Sequence, residues 1–373
     1  MKALRILLRA AALGILCAVL TAPLAIAQSS PTVVMSGLDN PRGLAFAATG
    51  HRHDDDHDDA RALYVAEAGR GGTAPCVEVR GGTVCAGETG AVSRLWRGTQ
   101  TRVVTGLPSY APFAMGVTDA AIGLQDVSFD DGRGYVAIGL AGDPGVRATL
   151  GEHFGTIARF DRDGTVGYEV DVAAHEAQSN PGGGPVESNP NGLLKGDGRE
   201  LVVDAAANTL LQVDDAGAIS TLAVFPSRPQ GRATDAVPTA VASRRRASYV
   251  AELTGGPFTA GQAQIWRVVP GREPEVHCAG FSFLVDLAFG RDGDLYVLEA
   301  SGPAGPFSGT PGRLLRVAPD CSTTAVATNL AAPASVAIGP DGDAYVSINS
   351  QSAATGAVVR IDLPPAGDDD DDD

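Results

Sequence analysis

The chain has 373 residues, with 44 acidic against 28 basic side chains and a formal charge of −16. A body of that sign excludes nucleic acid as an expected partner. Its 47 Gly and 24 Pro, with short β-branched runs between them, favour an all-β chain of strands and turns.

The N-terminus comes first and reads as an address. Lys2, Arg5 and Arg9 precede an apolar run from Ala10 to Leu20, and Ala25-Ile26-Ala27 is a small-x-small cleavage site. Residues 1–27 are therefore expected to be a signal peptide, cut after Ala27, and the protein to be secreted or periplasmic. The run is short for a spanning helix and ends at Pro23, and no later stretch would cross a bilayer. Two acidic runs follow elsewhere: five Asp within His51–Asp59, and six in Asp368–Asp373. The first is read as a solvated hairpin insertion, and residues 366–373 as an acidic disordered tail. Residues 28–365 form the expected folded body. Its four cysteines, Cys76, Cys85, Cys278 and Cys321, suggest disulfides in an exported chain. Cys76–Cys85 closes one short loop, which leaves Cys278–Cys321.

A short strand then recurs six times: Leu63-Tyr64-Val65-Ala66-Glu67, Gly134-Tyr135-Val136-Ala137, Leu201-Val202-Val203-Asp204, Tyr249-Val250-Ala251-Glu252, Leu295-Tyr296-Val297-Leu298-Glu299 and Ala344-Tyr345-Val346-Ser347. The last four are spaced by 47 to 49 residues, the period of a four-stranded propeller blade. A small-residue strand precedes each one, as in Asp286-Leu287-Ala288-Phe289, and a strand such as Leu314-Leu315-Arg316-Val317 follows. The alternation in that third strand predicts one buried face and one face near solvent. Val103–Leu107 and Val326–Leu330 supply fourth strands, while the sixth unit runs into Pro364-Pro365 without one. Val33-Val34-Met35-Ser36-Gly37-Leu38 has the matching sequence. The fold class is thus an all-β, six-bladed β-propeller with four-stranded blades, closed by its N-terminal strand, which removes an exposed edge.

In such a ring, the segments before strand one and after strand two share one face. Asn40, Arg42, Gln125-Asp126, Asn189, Asn191 and Asp286 stand before or at strand one; Glu67, Asp204, Glu252 and Glu299 end strand two. Asn40, Arg42, Asp126, Asn189, Asn191 and Asp286 are candidates for ligand binding at the channel mouth. Glu67, Asp204, Glu252 and Glu299 could together hold Ca²⁺, a hard cation with several oxygen ligands. The competing reading has each acid bond nearby backbone N–H groups or an Arg. The same face carries Gly/Pro-rich segments 68–90, 139–155, 254–263 and 301–312, read as long loops suited to a small-molecule or protein ligand.

Asn40-Pro41-Arg42-Gly43-Leu44-Ala45, Asn189-Pro190-Asn191-Gly192-Leu193 and Glu252-Leu253-Thr254-Gly255-Gly256-Pro257-Phe258 resemble the ScyD/ScyE family, related to NHL-repeat propellers. The resemblance spans Pro31 to Leu363 and implies an exported propeller; it assigns little chemistry. With no nucleophile and base joined by the sequence, a monomeric binding or scaffold protein is favoured over an enzyme. The alternative is a Ca²⁺-type hydrolase, lactonase or lyase working from the channel.

Overall fold

A strand sandwiched between two sheets must be apolar on both faces, and the Tyr-Val strands meet that condition. Every residue of Leu63–Glu67 and of Leu295–Glu299 is buried. The computed structural model describes residues 30–47, 62–79, 82–112, 120–196, 198–230, 232–291, 293–301 and 310–363. The expected signal peptide, the His51–Asp59 insertion and the poly-Asp tail lie outside the described residues.

Six antiparallel sheets surround an axis. Blade one is Pro41–Phe46, Leu63–Glu67, Gly82–Trp96 and Thr99–Pro112. Blade two is Leu124–Asp130, Arg133–Ile138, Thr156–Phe160 and Val166–Asp171, and blade three is Pro190–Gly196, Arg199–Asp204, Thr209–Val213 and Ile219–Val224. Blade four comprises Pro238–Arg244, Ala247–Glu252, Ala263–Val268 and Glu275–Phe281. Blade five comprises Leu284–Phe289, Leu295–Glu299, Gly312–Val317 and Thr323–Leu330. Ser335–Ile338, Ala344–Ile348 and Gly356–Ile361 make the first three strands of blade six.

The fourth strand of blade six comes from the other end of the chain. Thr32–Leu38 pairs antiparallel with Gly356–Ile361, in a register that sets Thr32 opposite Arg360 and Leu38 opposite Gly356. Several outer strands share an ending: a left-handed residue (Gly37, Gly106, Gly280 or Asn329), then a buried Leu38, Leu107, Phe281 or Leu330. Gly or Asn tolerates that backbone, and the next side chain turns into the core.

The core is divided among the seams between blades. Tyr64, Val92 and Val104 pack against Val127, Phe129 and Phe160 where blades one and two meet. Met35, Leu38 and Val358 meet Leu44, Leu63 and Val65 where blade six returns to blade one. The third strands depart from the expectation of one solvated face. Leu210 packs toward blade four and Leu211 toward blade two, because a propeller blade has a neighbour on each side.

Segment 68–90 also departs from its reading as a loop. Cys76–Val79 pairs with the start of Gly82–Trp96, and Thr99–Pro112 follows that strand along its length. Gly72 permits this approach, since a Cβ there would lie 2.1 Å from the carbonyl oxygen of Ala86. Both expected disulfides are present. Cys76–Cys85 ties the extension, and Cys278–Cys321 ties the outer strand of blade four to a turn in blade five. Among the described residues, no helix is long and apolar enough to cross a membrane.

Candidate functional site

The four carboxylates that end second strands do not converge. They sit in blades one, three, four and five, each fully buried. Glu67 accepts from the Asp39 amide at 2.7 Å, the Ser93 hydroxyl at 2.6 Å and two nitrogens of Arg102. Asp204 accepts from the Ser188 hydroxyl and from the amides of Asn189, Ala206 and Ala207. Glu252 takes Gln264, the Trp266 indole and Arg228, and burial pushes its carboxyl up to about 7. Glu299 takes the Ser282 amide and Arg313. Each acid braces the loop or strand beside it, which is the competing reading of these positions. They do not form one Ca²⁺ ligand set: among the described residues no group of three or more His, Cys, Asp or Glu could hold a metal ion.

Asp126 and Asp286 are placed differently. They occupy equivalent positions on the inner strands of blades two and five, three blades apart, and line the same axial cavity of about 310 Å³. Leu44, Leu193, Val241, Ser335 and Val336 are among the other lining residues. Each Asp also stitches its blade to the next. Asp126 accepts from the Leu193 amide at 2.7 Å, and Asp286 from the Ser335 hydroxyl at 2.6 Å and the Val336 amide at 2.8 Å. Burial raises Asp286 to about 6; burial and then the charge of Asp286 raise Asp126 well above the carboxylate range. The pair resists carrying two negative charges, as like charges in low dielectric do.

One residue nearer the mouth, the inner strands share a second feature. Their pairing with the second strands slips between Pro41 and Leu44, Leu124 and Asp126, Pro190 and Gly192, Pro238 and Ala240, and Leu284 and Asp286. The residues at these bulges include Arg42, Gln125, Asn191, Thr239 and Val285. Bulges beside functional sites re-aim side chains. Asn191 spends its amide on the Thr239 carbonyl at 2.7 Å. Asn189 accepts from the Leu140 amide at 3.1 Å, and Asn40, fully buried, donates to the Gly69 carbonyl at 2.9 Å. Arg42 donates to the Ala121 carbonyl at 3.0 Å, and burial pushes it down to about 10. The structure therefore brings Asp126 and Asp286 to the cavity, leaves Arg42 and Asn191 bonded to backbone carbonyls at the bulges outside its lining, and turns Asn40 into the wall of blade one. Sequence reasoning passed over Ser335, which lines the cavity and donates to Asp286; its place at the start of an inner strand, equivalent to Asp126 and Asp286, was the available signal.

A buried acid outside this group gives a pH test. Glu176, on the helix Val172–Ser179, is 2% exposed, and burial, then the neighbouring Asp204, lifts its carboxyl to about 7. A raised acid holds its proton more tightly when folded, so stability is lost as pH rises from the unfolded value near 4.5 through 7. Glu176→Gln should then stabilise the fold at pH 8, by on the order of 2 kcal/mol, and leave it unchanged at pH 4. Urea titrations at the two pH values check this; an equal effect at both would refute it.

No protein-family model matches the chain, and no curated relative does. Solved structures do. A protein of unknown function from Bacteroides thetaiotaomicron superposes with a TM-score of 0.52 at 10% identity, over 89% of this chain and 72% of that one. Regucalcin, a calcium-binding protein from Agrobacterium tumefaciens, gives 0.50 at 11% identity, over 90% and 94%. A virginiamycin B lyase from Staphylococcus aureus gives 0.48 at 12%, over 90% and 99%. The first two likenesses show the fold alone.

Proposed function

We propose that this chain is an exported binding protein that takes a small molecule into the axial channel, in keeping with its resemblance to the ScyD/ScyE propellers. One observation carries the reading: six inner strands enclose a cavity of about 310 Å³ with Asp126 and Asp286 facing across it. A concave, mostly apolar space with a few convergent polar groups is the usual form of a ligand site. Two disulfides support the exported half of the proposal. The alternative, a Ca²⁺-dependent hydrolase, draws no support from Glu67, Asp204, Glu252 and Glu299, which are spent on their own blades.

The test is a ligand-observed NMR screen of small polar fragments against the mature protein and an Ala337→Phe variant. Ala337 lines the cavity, so a larger side chain there narrows it. Fragments should bind the parent and be released by the variant, with both showing the same strand content by circular dichroism. Fragments that bind both proteins equally would place recognition elsewhere and end the proposal.

A further inference from the structure

The turns at the end of the ring away from the channel mouth differ in charge. In blade two the two-residue turn between Asp130 and Arg133 is Asp131-Gly132, with φ of 48° and 73°. Asp-Gly suits the left-handed backbone of such hairpins. The equivalent turn of blade four, between Arg244 and Ala247, is Arg245-Arg246, and Arg245 takes φ 58°. An arginine gains nothing from that backbone. A local rule broken at an exposed turn points to a role outside the fold.

More cations gather there. Arg244 donates to the Gly293 carbonyl and sets its guanidinium 5.6 Å from the centre of the Phe289 ring. A Cβ at Gly293 would overlap that guanidinium, so the turns of blades four and five touch. Arg291 stands two residues before Gly293, and the outer turn of blade four, between Arg267 and Glu275, adds Arg272 at the same end. Arg245, Arg246, Arg272 and Arg291 are all exposed, and none pairs with an acid among the described residues. Glu273 and, by sequence, Asp292 stand against them, while Glu275 and Asp294 are taken by Arg267 and Arg316. The four form a basic surface on a chain of formal charge −16.

The last described residue emerges close by. Leu363 packs against the cluster that joins Tyr296 and Leu298 of blade five to Val346 and Val359 of blade six. Its amide donates at 3.0 Å to Asp343, in the equivalent turn of blade six. The sequence then continues through Pro364 to Asp368–Asp373. Five to ten residues of extended chain reach about 17–35 Å. Packed sheets lie about 10 Å apart, so the turn of blade four is about two spacings from blade six. Asp341, Asp343 and Asp362 already share Arg360 at the exit, so further acids are repelled from it. The other acidic run, His51–Asp59, starts in blade one, opposite blade four, and is tethered at both ends.

We propose that Arg245, Arg246, Arg272 and Arg291 form a docking surface for the acidic run Asp368–Asp373 of the same chain. Guanidinium forks suit carboxylates. Exposed pairs are individually weak, but a short tether supplies an effective concentration in the millimolar range. The run therefore covers the basic surface at low ionic strength, shields it from other anions, and is displaced by salt.

The test is zero-length carbodiimide coupling of the full chain carrying Arg246→Lys, read by peptide mass spectrometry. Lys2 and Lys195 are the natural lysines, so the introduced amine is easily traced. At ~10 mM salt, where the Debye length is about 30 Å, it should couple to an Asp of 368–373 within one chain; at ~1 M, where that length is about 3 Å, the product should fall about tenfold or more. Arg133→Lys, in the turn of blade two, is the control for chance encounters and should couple far less. Coupling equal at the two turns, coupling between two chains, or coupling to 51–59 instead would overturn the proposal. A second measurement follows binding of a hexa-aspartate peptide at low salt by NMR. A chain with all six Asp of 368–373 changed to Asn should bind it at least about threefold more tightly than the parent, because the tethered competitor is gone. Adding Arg245→Asn and Arg246→Gly, residues that the turn favours, should remove that binding without loss of strand content. Equal binding by parent and Asn-substituted chains would also end the proposal.

Discussion

A chain that begins at Asp39, and so lacks Thr32–Leu38, is expected to lose cooperative folding. That strand supplies the outer edge of blade six and pairs with Gly356–Ile361. Its Met35 and Leu38 are buried against Leu44, Leu63, Val65 and Val358 from two blades. Removing one such side chain costs about 2–5 kcal/mol, so losing both consumes most of the ~5–15 kcal/mol that holds a domain together. The backbone of Gly356–Ile361 would also be left as an open edge, a template for aggregation. Light scattering should rise on expression of the shortened chain, and its urea transition should broaden or vanish. Adding the peptide Pro31–Asn40 should restore part of the transition. A shortened chain with the urea midpoint of the parent would show that the ring does not depend on this closure.

The closure was legible because the physics behind it is local. Val33–Leu38, Val103–Leu107 and Val326–Leu330 each end in a left-handed residue and a buried Leu, so equal positions carry equal sequence. The Tyr-Val strands were legible for a related reason, since both of their faces lie in seams and demand apolar residues. The extension of blade one was not. Its glycines resemble those of a loop, although Gly71 and Gly72 allow strands to approach more closely than any side chain permits. The site was legible by position and obscure in role. Sequence marks Glu67 as an acid at a strand end, but Arg102, 35 residues away, decides that it is a brace. Asp286 finds Ser335 at a separation of 49 residues, a relation set by the ring and invisible in a window of sequence.

The brace at Glu67 holds the same joint that the closing strand forms, so its loss should be felt there. Asp39, directly after the closing strand, donates its amide to Glu67 and shares Arg102 with it. The Asp39 carboxylate also accepts from the Ala354 amide of blade six at 2.7 Å and pairs with Arg70 at 2.8 Å. Glu67 thus ties the closing strand, blade one and blade six through one network. Removing one member of a buried ion pair costs about 3–5 kcal/mol, and Arg102, at 40% exposed, regains some hydration and moves the expectation toward the lower end. Glu67→Ala should therefore destabilise by roughly 3 kcal/mol in urea titrations. Arg102→Met should cost less, because Glu67 keeps its bonds to the Asp39 amide and the Ser93 hydroxyl. The double variant should fall short of the sum of the two, since each single change already breaks the shared interaction. Additive losses, or a Glu67→Ala loss below about 1 kcal/mol, the scale of a surface pair, would mean that the brace does not hold the joint.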